Sequence, residues 1–260
     1  MVLYIGIPGA DLSAVPAKQG TQTFLSDDPL PILSLPGLLN WWNGDDAAVA
    51  ASILSWTDRV QSKTLAAASA GVSPTIITGD NGKKAVHFVG AGKLDGPAAT
   101  LNQANTYTLL YVLKPSNPLV IGALVGGNSG AGIGRVSYQW NTGYLAARNG
   151  NAGAPSQPSS SAGKIVASTT VIAAQSFDAA NMKYGFSFNG VFDKYVGITG
   201  ISGAEDQATA FTMAGTPGGT NLWSGDMYDL FLFAGDLHAT ANAGVLAYII
   251  AKMKSRYGIA

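Results

Sequence analysis

The chain has 260 residues, of which 47% are hydrophobic and only 12% charged, with 33 glycines and no cysteine. Fifteen basic residues balance fifteen acidic ones, so the field that would gather phosphate backbones or anionic lipid is missing, which argues against nucleic acid as a partner. Without cysteine there is neither a disulfide framework nor a thiolate metal site, and the length suits one large β domain with an appendage.

Residues 1–37 contain Pro8, Pro16, Pro29, Pro31 and Pro36, a density that forbids long helices and central strands. They read as an extended N-terminal arm for docking or oligomerisation. Its apolar start, Leu3-Tyr4-Ile5-Gly6-Ile7, is strand-like and is expected to lie on a neighbouring subunit or, as an edge strand, on its own domain. Met1 to Pro8 shows no basic leader and only a short apolar run, so no signal peptide is expected and the protein reads as soluble. Residues 38–260 read as one β domain. The apolar stretches 119–126 and 245–251 fall far short of the roughly 20 residues a membrane helix needs, so no membrane insertion is expected.

Alternating apolar residues predict strands at 76–78, 85–89, 106–114, 119–125, 135–140, 143–147, 165–173, 183–189, 191–198, 209–214 and 227–234. The Ala-rich segments 45–55 and 62–70 are expected as short helices. Asp80-Asn81-Gly82 and Asn189-Gly190 are turn signals, because Asn and Gly tolerate the left-handed backbone of a type I′ turn. The second makes Lys183 to Phe192 a hairpin with Tyr184, Phe186 and Phe188 on one face. Residues 148–163, rich in Gly, Ser and Pro, read as a long loop or flap, and the glycine-rich 126–134 as a flexible loop. The chain closes with a strand through Leu222 to Phe233 and a helix whose Val245, Leu246, Ile249, Ile250, Met253 and Tyr257 recur at spacings of three and four, stopped by Gly258.

Four blocks in this order carry a family resemblance. They are Leu39-Asn40-Trp41-Trp42-Asn43-Gly44-Asp45 with Ser55-Trp56-Thr57-Asp58; Ala85 to Gly90 with Leu94; Thr106 to Pro115; and the closing strand with the helix ending Arg256-Tyr257-Gly258-Ile259. Together they cover residues 38–260 and resemble the laminin-G-like branch of the concanavalin-A-like lectin and glucanase jelly rolls, in a form met on phage virions. The resemblance implies an all-β fold, a two-sheet antiparallel jelly-roll sandwich with a C-terminal helix, and gives Trp41, Trp42 and Trp56 packing roles. Some laminin-G-like domains bind calcium at a loop rim. Here a Ca²⁺ site would need Asp226 or Asp229 to meet Asp45 or Asp46 across the sandwich, since this cation takes six to eight oxygens.

Catalytic chemistry is poorly provided for. Glu205 is the only glutamate among the fifteen acidic residues, and the E-x-D-x-x-E pattern of jelly-roll glucanases, which present two carboxylates about 5 to 5.5 Å apart, is absent. Glu205 and Asp206 are neighbours and would point to opposite faces of a strand. His87 and His238 are the only histidines and sit in unrelated contexts. No nucleophile elbow, H-E-x-x-H or P-loop occurs.

Aromatic residues offer the better binding chemistry, because sugar C–H faces stack on Trp and Tyr while hydroxyls pair with Asn, Gln and Asp. Tyr138, Trp140 and Tyr144, with Gln139, Asn141 and Arg148, cluster around one turn, and Trp223 beside Asn221 is a second candidate. The ligand-binding candidates are therefore Trp140, Tyr144, Arg148 and Trp223, the alternative for Tyr138 and Trp140 being a shared place in the core. The reading is a non-enzymatic structural and binding module: a phage virion surface component, capsid decoration or tail fibre, whose lectin-like domain meets cell-surface glycan and whose arm contacts other copies and other virion proteins. The alternatives are a free-standing carbohydrate-binding protein and, third, a glycoside hydrolase.

Overall fold

The structure is a computed structural model describing residues 30–98, 100, 106–117, 119–127, 134–140, 142–150, 157–198, 210–216 and 219–260. Within these ranges the side chains of residues 30, 70, 134–136, 138, 140, 148–150 and 210 are left undescribed. Two eight-stranded sheets pack face to face. The first runs β14 (Val191–Gly197), β13 (Lys183–Phe188), β12 (Val171–Asp178), β8 (Tyr107–Pro115), β16 (Ser224–Ala234), β6 (Lys84–Val89) and β5 (Thr75–Thr78), with β1 (Leu38–Asn43) also paired to β16. The second runs β11 (Tyr144–Gly150), β10 (Gly134–Trp140), β9 (Gly122–Gly126), β15 (Ala210–Met213), β7 (Leu94–Ala98), β4 (Thr64–Ala67), β3 (Ile53–Thr57) and β2 (Ala47–Ala50). Every pairing between these strands is antiparallel. This is the expected all-β jelly roll of concanavalin-A-like architecture.

The central strands of the first sheet carry apolar residues on both faces. Tyr107, Leu109, Tyr111 and Leu113 of β8, with Val171, Ala173 and Phe177 of β12, enter the core between the sheets. Their neighbours Leu110, Val112, Ile172 and Ala174 face outward into a second apolar layer, as the two-residue side-chain period of a strand requires. That layer is closed by helix α2 (Ala243–Tyr257), which buries Ile249, Ile250, Met253 and Tyr257, each contributing roughly 1.5 to 3 kcal/mol of transfer free energy. Gly258, at φ 66°, ends the helix in a left-handed cap with its N–H on the Lys254 carbonyl, a conformation that glycine adopts at no steric cost. No helix of the described chain is long and apolar enough to cross a membrane.

Residues 1–29, with the strand-like Leu3–Ile7 stretch, lie outside the described residues. From Leu30 the chain already belongs to the folded layer, since the short helix α1 (Leu30–Leu33) sends Ile32 into the cluster under α2, where Leu33 and Leu35 also pack.

Several sequence expectations need correction. Apart from single 3-10 turns at Gly44–Asp46 and Ala70–Val72, the segments 45–55 and 62–70 are not helices but β2, β3 and β4. Their alanines are consistent with a helix, yet Leu54 and Trp56, then Leu65 and Ala67, are buried at alternate positions. The turn between β2 and β3 puts Ala51 and Ser52 at φ 50° and 64°, which a continuous helix excludes. Strand β7 carries no prediction at all. The strand expected from 119 begins at Gly122, leaving Leu119 and Val120 exposed, and that expected from 165 begins at Val171. Both turn signals hold: Asn81 and Gly82, then Asn189 and Gly190, are left-handed at φ 51°, 70°, 49° and 85°.

Candidate ligand-binding surface

β10 and β11 form a hairpin with Trp140 opposite Tyr144 in the register. Its turn carries Thr142 and Gly143 at φ 67° and 70° and is clamped from outside. Gly163 N donates to the Thr142 carbonyl and Ile165 N to the Gly143 carbonyl, both at 2.9 Å. A Cβ on Gly143 would stand 2.2 Å from the Ile165 carbonyl oxygen, so only glycine admits this close approach. Residues 158–160 pair along β11, with Ala147 N on the Pro158 carbonyl and Ser160 N on the Leu145 carbonyl. Ser161 N then donates to Asp193 Oδ2 at 2.7 Å, stitching the segment to β14.

The flap reading is thereby divided. Residues 148–150 are strand and 157–163 are bonded to the hairpin and to β14, while 151–156 fall outside the described residues, as do 128–133 of the glycine-rich loop. Ordering comes from Ser160, whose hydroxyl accepts from Leu145 N and donates to the Ser161 carbonyl.

Of the four ligand-binding candidates, Tyr144 fits a surface role. Its ring is half-buried and packs on the small cluster of Ala123 and Ala146, against which Ile121 also packs, apart from the main core, and burial raises its hydroxyl pKa. Trp140 and Arg148 hold backbone positions in β10 and β11, and their side chains lie outside the description. Trp223 requires correction. It is 1% exposed, donates its indole N–H to Gln139 Oε1 at 2.8 Å and packs 6.1 Å from Phe88. It offers no face for stacking, and Gly122 is small because Trp223 occupies the space of its Cβ. Trp41, Trp42 and Trp56 are buried in the packing roles that the resemblance implied.

The carboxylates imagined as a Ca²⁺ site are held by separate partners. Asp226 meets His87 Nδ1 at 2.6 Å, Asp45 pairs with Arg256 and Asp46 with Arg59. Asp229, fully buried beneath α2, accepts from Trp41 Nε1 and Asn43 Nδ2, each at 2.7 Å, and from the Tyr257 hydroxyl. Desolvation pushes the Asp229 carboxyl up to about 6, against the pull of those three donors and of Arg256. Among the described residues no three His, Cys, Asp or Glu side chains gather as metal ligands; Glu205 and Asp206 lie outside them.

A polar cluster that the sequence did not reveal lies on the outer face of the first sheet, beside the entrance to α2. His238 Nδ1 meets Ser176 Oγ at 2.7 Å and Nε2 meets Ser187 Oγ at 2.9 Å. Asp236 accepts from His238 N at 2.8 Å and from the Tyr195 hydroxyl at 3.1 Å. Desolvation opposes ionisation of Asp236, but the bonds from His238, Ser176 and Tyr195 outweigh it and hold the carboxyl at about 2. The only signal in the sequence is the alternation of Ser176 and Ser187 with apolar residues on their strands.

This Ser, His and Asp assembly lacks the geometry of a hydrolase. The His238 side chain is 1% exposed and Asp236 Oδ1 stands 3.7 Å from Nδ1, whose nearer partner is the Ser176 hydroxyl. Ser187 is buried in mid-strand, where backbone N–H groups serve the sheet, so no pair of donors converges on an oxyanion position beside it. The cluster pins the chain between β16 and α2.

No family model matches the sequence, and a search of curated proteins finds no match. Solved structures are similar in fold. Domain 4 of AbnA, an extracellular GH43 arabinanase from Geobacillus stearothermophilus solved with arabinotriose, is 16% identical with a TM-score of 0.59, covering 81% of this chain and 98% of that one. The binding domain of botulinum neurotoxin DC in complex with SialylT is 9% identical with a TM-score of 0.56, covering 82% of this chain and 51% of that one. The K499G mutant of NanB sialidase from Streptococcus pneumoniae is 14% identical with a TM-score of 0.50, covering 61% and 26%. The chain thus spans about half of the neurotoxin domain and about a quarter of the sialidase. At these identities the likeness is one of fold, a concanavalin-A-like sandwich.

Proposed function

We propose that the chain is a non-catalytic, glycan-binding lectin-like module whose sugar site lies at the β10–β11 hairpin. The observation that carries the reading is the clamped turn, which holds the half-buried Tyr144 ring on a rigid scaffold over Ala123 and Ala146. Such a ring stacks on a sugar C–H face without losing much freedom. Two domains of similar fold were solved with a sugar or a sialylated ligand, which supports the class of ligand. The neutral chain favours hydroxyl-rich ligands over polyanions. Arg148 and Trp140 are the further contacts we assign to the site.

The setting we propose is repeated display, as on a phage virion surface, with residues 1–29 docking to partner proteins. A shallow sugar site gains apparent affinity from many copies without new contacts. The reading is tested by titrating arabinotriose and sialyllactose into the wild type, Tyr144→Ala and Trp140→Ala. The expected result is at least a tenfold loss of affinity in both variants, with the stability of Tyr144→Ala changed by less than about 1 kcal/mol, as for a surface substitution. Unchanged binding in both variants removes the site.

A further inference from the structure

We infer that β14 is a self-complementary edge through which two copies of this chain pair across a twofold axis. β14 ends the first sheet, bonded only to β13 among the described strands, and the outer row of N–H and C=O groups of such an edge strand can template another strand. It also exposes two large apolar side chains, Val191 at 68% and Phe192 at 49%. Apolar residues on an unpaired edge mark a surface that is covered in the working assembly.

The sequence names the occupant. Val191-Phe192-Asp193-Lys194-Tyr195-Val196 reads apolar, aromatic, acid, base, aromatic, apolar; from the other end the apolar and aromatic types recur in the same order, and the acid and base exchange places. Two such strands laid antiparallel about a dyad between Asp193 and Lys194 bring Val191 opposite Val196 of the second copy, Phe192 opposite Tyr195, and Asp193 opposite Lys194. All three are favourable cross-strand pairs, and the operation makes each occur twice.

The faces agree with this register. Phe192 and Tyr195 lie together on the outer face, their rings 5.1 Å apart and the Phe192 ring 5.6 Å from His238. They share a face although three positions apart because the pairing with β13 is irregular here: Ser187 faces Phe192 while Phe186 faces Lys194, leaving Asp193 as the extra residue. The bulge therefore sits on the proposed dyad and preserves the match of faces. Lys194 has no ion-pair partner among the described residues. The Asp193 side chain, 7% exposed, accepts from Ser161 N at 2.7 Å and lies 3.6 Å from Lys164 Nζ, so Lys194 of a second copy would have to reach a remaining carboxylate lone pair. The bulge and the charge pair would deter an unrelated strand, whereas a second copy satisfies both.

The test uses the full chain, which has no native cysteine. Sedimentation velocity over micromolar to millimolar concentration is expected to show a monomer–dimer equilibrium. Lys194→Glu, which places two carboxylates opposite each other at both sides of the dyad, should raise the dissociation constant by about tenfold or more. The register is read by mixing Val191→Cys protein with Val196→Cys protein under mild oxidation. A disulfide-linked dimer is expected in the mixture and not in either protein alone. A wild type that stays monomeric throughout, a dimer indifferent to Lys194→Glu, or linkage that forms equally in the single-variant samples overturns the inference. Sugar binding is not a readout here, so the outcome is independent of the glycan site.

Discussion

The two sheets solve different problems. β8, β12 and β16 are buried on both faces, one against the second sheet and the other beneath α2. β3 and β4 of the second sheet bury alternate residues only, and both described helices that pack on a sheet sit on the first. A doubly covered sheet contributes stability and leaves little room for a ligand, whereas a singly covered one turns half its side chains to solvent and keeps a face open for binding. The polar groups under α2 are consistent with this division, because Asp229 and His238 are saturated with partners while the β10–β11 hairpin presents an aromatic ring at the surface.

The sharpest way to break the comparison is to attack the covered face. Ile249→Asp places a carboxylate where the side chain is fully buried. The lost transfer energy and the uncompensated charge together exceed about 5 kcal/mol, so loss of the cooperative thermal transition is expected. Trp223→Ala should come next, at roughly 3 to 5 kcal/mol, as for truncation of a buried aromatic side chain. The contrast with Tyr144→Ala, measured by chemical denaturation of both, separates a core aromatic from a surface one.

A smaller effect tests the electrostatics under the helix. The Asp229 carboxyl sits at about 6 in the fold and near its ordinary value when unfolded, so between those values the native state binds the extra proton. Stability from this group should therefore fall as pH rises from about 4 to about 6, by up to about 3 kcal/mol. Asp229→Asn should flatten the melting-temperature profile over that window. Asp236 has the opposite sign: held at about 2, it contributes stability above its ordinary value that is lost as pH falls toward 2. A profile of Asp229→Asn that keeps the wild-type slope between pH 4 and 6 would contradict the assignment. Gly143→Ala should cost about 1 to 3 kcal/mol through left-handed backbone strain and the clash with the carbonyl of Ile165, a residue at the margin of the main core, loosening the hairpin. Its signature is faster amide exchange at Ile165 with an intact main transition.

Local chemistry makes much of this architecture legible in the chain. Asn81-Gly82 and Asn189-Gly190 specify left-handed turns by residue type alone, and the 3-and-4 spacing of α2 specifies a buried stripe. The segments around Ala47 and Ala66 failed because alanine favours helix when alone, while pairing with neighbouring strands overrode that propensity. Trp223 failed differently: an aromatic beside Asn221 at a loop looks like a binding residue, and only the approach of Gln139 and Phe88 shows it to be core.

The sequence by itself determined the strand periodicity, the hairpin turns, the capped final helix and the absence of a glucanase carboxylate pattern, all properties of residues close along the chain. Tertiary structure alone decided which sheet the helix covers, that Asp229 meets Trp41 across 188 positions, and that His238 lies between serines of two different strands. It decided them because β16 pairs with β8, β6 and β1 at once. Burial and hydrogen bonding follow from such long-range pairings, which short-range residue patterns do not encode.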